Sequence, residues 1–188
     1  FITLDQLFSG DHPLLEQPYS PMTIRFFILQ AHYRSTVDFS NEALKSAEKG
    51  LERLFKGLET LEKTGPSEKS TLDISALEKK CFDAIDDDLN TPVLLSYLFE
   101  GVKYINQVND GKEKLSAADL GSLKKLFKTF VFDILGLKAA PVSVADEKLT
   151  GELMKIIIDL RQDARERKDF ATSDKIRNEL KEAGIILK

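Results

Sequence analysis

Residues 19–40 read YSPMTIRFFILQAHYRSTVDFS, and this stretch decides how the first part of the chain folds. Ser20 followed by Pro21 predicts a helix start, because serine caps free amide groups and proline fits the first helical turn. Four apolar residues then share one predicted helical face: Ile24, Phe27, Ile28 and Ala31. The helix therefore has a side to bury, and it leads into a polar corner at residues 32–35.

Helical periodicity continues through nearly all of the remaining sequence. Helices are predicted over about 41–63, about 74–85, from Pro92 to about 105, from Ser116 to Gly136, and in two segments after residue 145. In the helix that starts at Pro92 the predicted inward face extends to Ile105, and in the helix that starts at Ser116 it includes Ile134. The first segment after residue 145 has five apolar residues predicted to face inward: Leu149, Leu153, Ile156, Ile157 and Leu160. Because no long alternating strand pattern occurs, we predict an all-α fold.

Two polar or Gly/Pro-containing stretches divide the chain. The first is TGPSEKST at residues 64–71, and the second is KAAPVSVA at residues 138–145. The last predicted helix begins after Asp169 and stops at Gly184. The final apolar residues, 185–187, are typical of a short extended segment.

Composition limits the classes of function. The chain has 188 residues, 42% of them apolar, which suffices to bury a core. No apolar run is long enough to span a membrane. One cysteine, Cys81, excludes an internal disulfide, and with two histidines it makes a metal site improbable. The net charge of −4 argues against indiscriminate nucleic-acid binding, but it allows a local positive surface.

The first residues, FITLDQLF, have no basic region and do not resemble a signal peptide. Thr3 and Gln6 have the spacing of a capping box, and Gly10 is suited to end the element. We therefore expect a short helix here, of a kind found within a longer protein.

The acidic run DDDLNTP, residues 86–92, has three interpretations: a structural turn, a partner contact or a metal site. The spacing does not fit a calcium loop, which needs ligands at alternate positions and a central glycine. Carboxylates are favoured where a following helix presents free N–H groups. We therefore interpret Asp88, Asn90 and Thr91 first as determinants of the fold, with a helix start at Thr91 and Pro92.

Residues 159–187 are rich in alternating charges, as on a solvated pair of helices with i,i+4 ion pairs. Arg161, Arg165 and Lys168, however, are spaced to share a face, and Phe170 is expected at the corner between two helices. An aromatic ring beside cations and carboxylates is how proteins read single-stranded RNA. His32 has a similar ambiguity: it fits a structural role at a helix C-terminus or an RNA contact. No partner is spaced beside it for catalysis.

These segments resemble cysteinyl-tRNA synthetases. Residues 19–40 resemble the family's helix that ends in H-Y-R-S and leads to a D-aromatic-S turn. FITLDQLF resembles the piece after the K-M-S-K-S nucleotide loop, and DDDLNTP resembles the entry to a DALR-type helical bundle. Residues 165–187 match the C-terminal pattern R-x-x-K-D-(W/F)-x-x-(A/S)-D-x-x-R-x-x-L-x-x-x-G-I-x-L, with Phe170 at the aromatic position.

The resemblance implies a division into three regions. These are a stem-contact helical region at 1–65, a DALR-type anticodon-binding bundle at 72–138 and a small C-terminal helical hairpin at 147–188. It implies contacts to the tRNA stem or backbone by Arg25, His32 and Arg34. It implies anticodon contacts by six further residues: Arg165, Lys168, Asp169, Phe170, Asp174 and Arg177.

The resemblance also implies that a cytoplasmic full-length enzyme uses ATP and zinc to attach cysteine to tRNA-Cys. Its N-terminal catalytic domain would pack on residues near 1–40. The 188 residues would themselves hold no cofactor or metal and would be catalytically inactive, because no signature nucleotide loop occurs in them.

Two other functions are compatible with parts of the sequence. A related ligase that joins cysteine to an amino-sugar would share the early segment but would lack the pattern over residues 165–177. A purely structural helical interaction module would leave a conspicuous apolar stripe exposed on the bundle.

Overall fold

A computed structural model describes residues 2–139 and 144–182. Within these ranges the backbone is helical apart from turns and an isolated bridge between Ser67 and Ser116, which confirms the predicted all-α fold. Residues 1–139 and 140–188 form two compact units. The first contains α1 (Leu4–Ser9), α2 (Pro21–Leu29), α3 (Asn41–Lys63), α4 (Ile74–Asp86), α5 (Thr91–Asn109), α6 (Ala117–Phe127) and a π-helical segment (Lys128–Ile134). The second contains α7 (Val144–Glu166) and α8 (Phe170–Glu182). The division of residues 1–138 into two functional regions remains a prediction.

Side-chain caps begin the helices where the sequence predicts. The Thr3–Gln6 capping box forms on α1, and the Ser20 hydroxyl accepts a hydrogen bond from the Thr23 amide at 3.0 Å on α2. The cap of α5 differs by one residue, because Asn90 and not Thr91 accepts the bond from the Val93 amide. Thr91 is thereby released for another contact: its hydroxyl donates to the Leu29 carbonyl at the end of α2, at 2.8 Å.

The core of the first unit forms around α3, which packs against α2, α5 and α6, while α4 packs against α5 and α6. The predicted inward stripe of α5 is buried in full: Leu94, Leu95, Leu98, Val102 and Ile105. Two glycines allow close packing. A Cβ on Gly57 would lie 2.9 Å from a Val102 methyl, and one on Gly101 would lie 2.9 Å from the Phe127 ring. The apolar spacing therefore predicts the bundle's interior well.

The buried face of α2 is rotated from the predicted one. Ile24 and Phe27 are buried as expected, but Ile28 is 48% exposed and Phe26 is fully buried. The reason is tertiary: Phe26 fits against the bare backbone of Gly50 on α3 and stacks edge-on against Phe99 of α5.

The predicted regular helix from Ser116 to Gly136 is wrong in its last part. From Lys128 to Ile134 the backbone is π-helical, and the Leu135 amide donates to the Phe130 carbonyl at 2.9 Å. Each wider turn shifts the following side chains by about one residue, or about 100° around the axis. Ile134 is consequently exposed, although the pattern predicts it inward. Gly136 ends the segment at φ +62°, as the sequence predicts.

The second unit is a hairpin of α7 and α8, as expected. Its interior includes Ala164, Ser173 and Leu180. The predicted inward stripe of α7 is wrong at Leu153, Ile156 and Leu160, which are exposed. A two-helix hairpin buries one narrow face, and on α7 that face is the neighbouring row with the less exposed residues: Met154, Ile157, Arg161 and Ala164. The Leu149 side chain, residues 140–143 of the second linker, Gly184 and residues 185–187 lie outside what the structure describes.

Candidate nucleic-acid interface

The polar corner after α2 is organised around one carboxylate, that of Asp88. The Tyr33 hydroxyl donates to Asp88 Oδ1 at 2.8 Å, and Arg34 Nη2 lies 3.0 Å from Asp88 Oδ2. Arg34 Nε also donates to the Tyr33 hydroxyl oxygen at 3.0 Å. Because the Tyr33 hydroxyl donates a hydrogen bond to the Asp88 carboxylate, the pKa of Tyr33 is raised above its usual value.

His32 belongs to the same corner. Its ring stacks on Tyr33 with centroids 4.7 Å apart, and its Nε2 lies 3.9 Å from Asp88 Oδ2. Its Nδ1 accepts a hydrogen bond from the Arg34 amide at 3.3 Å. The structure therefore brings two of the predicted stem-contact residues, His32 and Arg34, together.

Arg25, the third predicted stem-contact residue, is placed differently. It lies on α2, and its Nε donates to the Leu135 carbonyl at 2.7 Å, at the end of the π-helical segment. Its guanidinium also packs against Gly136, where an added Cβ would lie 2.8 Å from Nη2. Arg25 thus links α2 to the end of the bundle, while much of the residue stays exposed.

The acidic run forms a turn, which confirms the structural interpretation of its central residues. Asp88 and Leu89 adopt left-handed backbone conformations, with φ +53° and +55°. The Asn90 amide donates to the Ala84 carbonyl at 3.0 Å, which fixes the turn against the end of α4. Among the described residues, no group of three or more His, Cys, Asp or Glu side chains is placed to hold a metal ion.

The second unit places the six predicted anticodon-side residues at and after its helix corner. Arg165 is in the last turn of α7, and Asp169 caps α8 by accepting from the Thr172 amide at 3.1 Å. Hydrogen bonding from the Thr172 side chain, and secondly from its amide, lowers the pKa of the Asp169 carboxyl. The predicted common face of Arg161, Arg165 and Lys168 is wrong for Lys168, because α7 ends at Glu166 and Lys168 lies in the turn with φ +60°.

Phe170 is the first residue of α8, and 62% of it is exposed. Asp174 and Arg177 follow at spacings of four and three, so all three residues share one helical face. Arg177 Nη2 lies 3.2 Å from Asp174 Oδ1, and both side chains are more than half exposed. The result is an open surface with an aromatic ring, a cation and a carboxylate.

Sequence reasoning missed that Tyr33 and Arg34 share Asp88 as a partner. Tyr33 and Asp88 are 55 positions apart, so no local spacing relates them. Charge could have predicted this contact. The acidic turn and the cationic corner each follow a predicted helix, and the two helices pack in one bundle.

No helix among the described residues is both long enough and apolar enough to cross a membrane. In comparisons with known proteins, the DALR domain family matches residues 81–140. The whole chain is 54% identical over 189 residues to a cysteine–tRNA ligase of Parabacteroides distasonis, and 54% identical over 190 residues to one of Bacteroides fragilis. It is 38% identical over 198 residues to a cysteine–tRNA ligase of Chlorobaculum tepidum.

The chain spans 38% of the length of each of these three relatives. The two alternative functions, the amino-sugar ligase and the interaction module, gain no support from these matches. The region matched is the C-terminal part of the ligases. In sequence, this chain is therefore similar over its whole length to the C-terminal part of cysteine–tRNA ligases, and its residues 81–140 match the DALR domain family.

Proposed function

We propose that this chain is the tRNA-binding region of a cysteine–tRNA ligase, which in full-length form uses ATP to attach cysteine to tRNA-Cys. The observation that carries the proposal is the match of the whole chain, at up to 54% identity, to proteins named as cysteine–tRNA ligases. The DALR domain would contribute to anticodon binding, and the cytoplasm is the expected location of such an enzyme.

The open surface of the second unit supports an anticodon role. Unstacked bases bind aromatic faces such as Phe170, and Arg and Asp side chains can bond to base edges. Arg165, Lys168 and Asp169 lie at the corner that precedes this ring, where they could contact nearby RNA. Arg25, His32 and Arg34 would contact the tRNA stem or backbone, since all three belong to α2 or the corner that follows it.

Zinc and ATP would bind in the part of the ligase outside these residues. A zinc site needs thiolate, imidazole or carboxylate ligands grouped around one point. Cys81 is buried, and burial raises the pKa of its thiol to about 12, which disfavours the thiolate. The described residues therefore do not fit a zinc site.

The catalytic domain of the ligase would pack on residues near 1–40. Several apolar side chains in this range are exposed: Leu4, Phe8, Leu14 and Ile28. Exposed apolar side chains in one part of a protein are compatible with a contact surface for another domain.

The first prediction concerns catalysis. The 188-residue chain should show no cysteine-dependent exchange of pyrophosphate into ATP, whereas the full-length ligase that contains it should. The physical reason is that the chain contains no glycine-rich loop or signature lysine loop to hold a nucleotide. Exchange by the purified chain above a blank would contradict this assignment.

The second prediction tests the proposed function directly. In filter-binding assays, the full-length ligase should bind tRNA-Cys more tightly than a non-cognate tRNA. Replacing Arg34 with alanine should weaken binding to both tRNAs alike and reduce the slope of log K against log salt by about 1, because a phosphate contact carries little sequence information.

The matched control is Lys69→Ala, which removes one positive charge from an exposed position in the linker between α3 and α4. This variant should leave the salt slope near that of the unmodified protein. Equal affinity for cognate and non-cognate tRNA in the unmodified protein would contradict the proposed function. An unchanged slope in Arg34→Ala would assign Arg34 a structural role only.

A further inference from the structure

We propose that Asp88 positions Arg34 to receive a phosphate of an RNA backbone, so that this carboxylate promotes binding of an anionic partner. The inference rests on the proposed function, since it concerns the same tRNA. Asp88 would act through Arg34 and would not itself contact the RNA. The Tyr33 hydroxyl would complete the arrangement.

The contacts form a closed triangle around the guanidinium. Arg34 Nε is bonded to the Tyr33 hydroxyl at 3.0 Å, Arg34 Nη2 is paired with Asp88 at 3.0 Å, and Tyr33 is bonded to Asp88 at 2.8 Å. A guanidinium has five N–H donors, and these contacts occupy one edge of it. The Arg34 side chain nevertheless remains 69% exposed, so most of it is accessible to a ligand.

A fixed guanidinium binds phosphate at a lower entropic cost than a freely rotating one. An unrestrained arginine loses several rotatable bonds when it orders on a ligand, whereas a pre-organised one has already lost them. Asp88 is suited to impose this order because its own backbone is fixed: the neighbouring Leu89 amide donates to the Ile85 carbonyl at 3.0 Å. The carboxylate thus extends from a turn whose backbone is held by hydrogen bonds.

Electrostatics alone predicts the opposite effect of Asp88. A carboxylate near a phosphate repels it, so removing its charge should strengthen RNA binding. Positioning and repulsion therefore differ in sign, which makes the proposal testable by one neutral substitution. Asn is suitable at position 88, because it tolerates the left-handed conformation and can still accept a bond from Tyr33.

The test measures binding of a tRNA-Cys transcript to the full-length ligase in the unmodified and Arg34→Ala backgrounds. Asp88→Asn should weaken binding about three- to tenfold in the unmodified protein, a range typical of the coupling between residues in contact. It should have no weakening effect in the Arg34→Ala background. Tyr33→Phe, which removes the hydroxyl without changing any charge, should behave in the same way.

The matched control is Asp86→Asn, the same charge change two residues earlier. Asp86 is exposed and makes no ion pair within the part of the chain that the structure describes. It should leave affinity unchanged or raise it slightly. Melting temperatures of all variants establish that each one is folded.

Three outcomes would overturn the proposal. If Asp88→Asn fails to fold, Tyr33→Phe serves as the test variant in its place. Unchanged affinity for tRNA-Cys in a folded Tyr33→Phe variant would contradict the positioning of Arg34. Tighter binding by Asp88→Asn would show that repulsion dominates. Equal weakening in both backgrounds would show that Asp88 acts without Arg34. In each case the comparison of tRNA-Cys with a non-cognate tRNA in the unmodified protein still reports on the proposed function, so failure of the two ideas is distinguishable.

Discussion

Replacing Phe130 with alanine should lower the free energy of unfolding of the first unit by about 3–5 kcal/mol, the usual cost of removing a buried phenylalanine ring. Phe130 is fully buried within the π-helical segment, and its ring meets that of Phe82 at 4.9 Å in an edge-on arrangement. The cavity would open beside the segment whose end binds Arg25. Urea denaturation of the 188-residue chain would measure the change.

The chain supplies its own reporter for this measurement. It has no tryptophan, and its four tyrosines, at positions 19, 33, 97 and 104, all lie in the first unit. Tyrosine fluorescence therefore follows unfolding of that unit and not of the α7–α8 hairpin. Two units need not unfold together, so a single free energy of unfolding is defined only when the signal comes from one of them.

Phe132→Ala is the matched control, since it removes the same ring two residues later. Phe132 is 42% exposed, so its removal should cost less than about 1 kcal/mol. If both alanine variants lowered the free energy of unfolding by the same amount, the result would contradict a buried Phe130 and an exposed Phe132.

The parts of the fold that sequence predicts are those set by local chemistry. The apolar stripe of α5 and the capping box at Thr3 depend on residues within one or two helical turns of each other. Gly136 is similar, because a left-handed residue at a helix end favours glycine whatever surrounds it. For such features, the spacing along the chain already contains the geometry.

Other features depend on contacts between distant segments. Nothing in residues 128–134 themselves indicates a π-helix, whose wider turn is visible where the Leu135 amide bonds to the Phe130 carbonyl five residues earlier. Phe26 is buried because Gly50 leaves room for its ring. The candidate site shows the same limit: the residue types of the corner were predictable, but its organisation around Asp88 was not.

The α7–α8 corner combines both cases. The sequence places a helix start after Asp169, and the cap that the Asp169 carboxylate forms with the Thr172 amide agrees. Lys168 does not share the helical face of Arg161 and Arg165, because it lies in the turn after α7, where its own φ is +60°. The roles of the six anticodon-side residues remain predictions, and Phe170 offers the sharpest test of them.

Phe170→Ala in the full-length ligase should lower kcat/KM for tRNA-Cys by about 5- to 150-fold, which corresponds to the roughly 1–3 kcal/mol of one base–aromatic stack. The ring is 62% exposed, so its removal should leave the melting temperature of the 188-residue chain nearly unchanged. Aminoacylation of tRNA-Cys and of transcripts with single anticodon substitutions would measure the effect.

Two further variants separate stacking from simple apolar contact. Phe170→Trp keeps a planar ring and should retain most of the activity, whereas Phe170→Leu keeps apolar bulk without a ring and should lose nearly as much as alanine. If Phe170 instead stabilised the helix corner, alanine would lower the melting temperature and reduce charging of every transcript equally. That pair of results would contradict recognition by this residue, because a stacking platform acts only on the base that it holds.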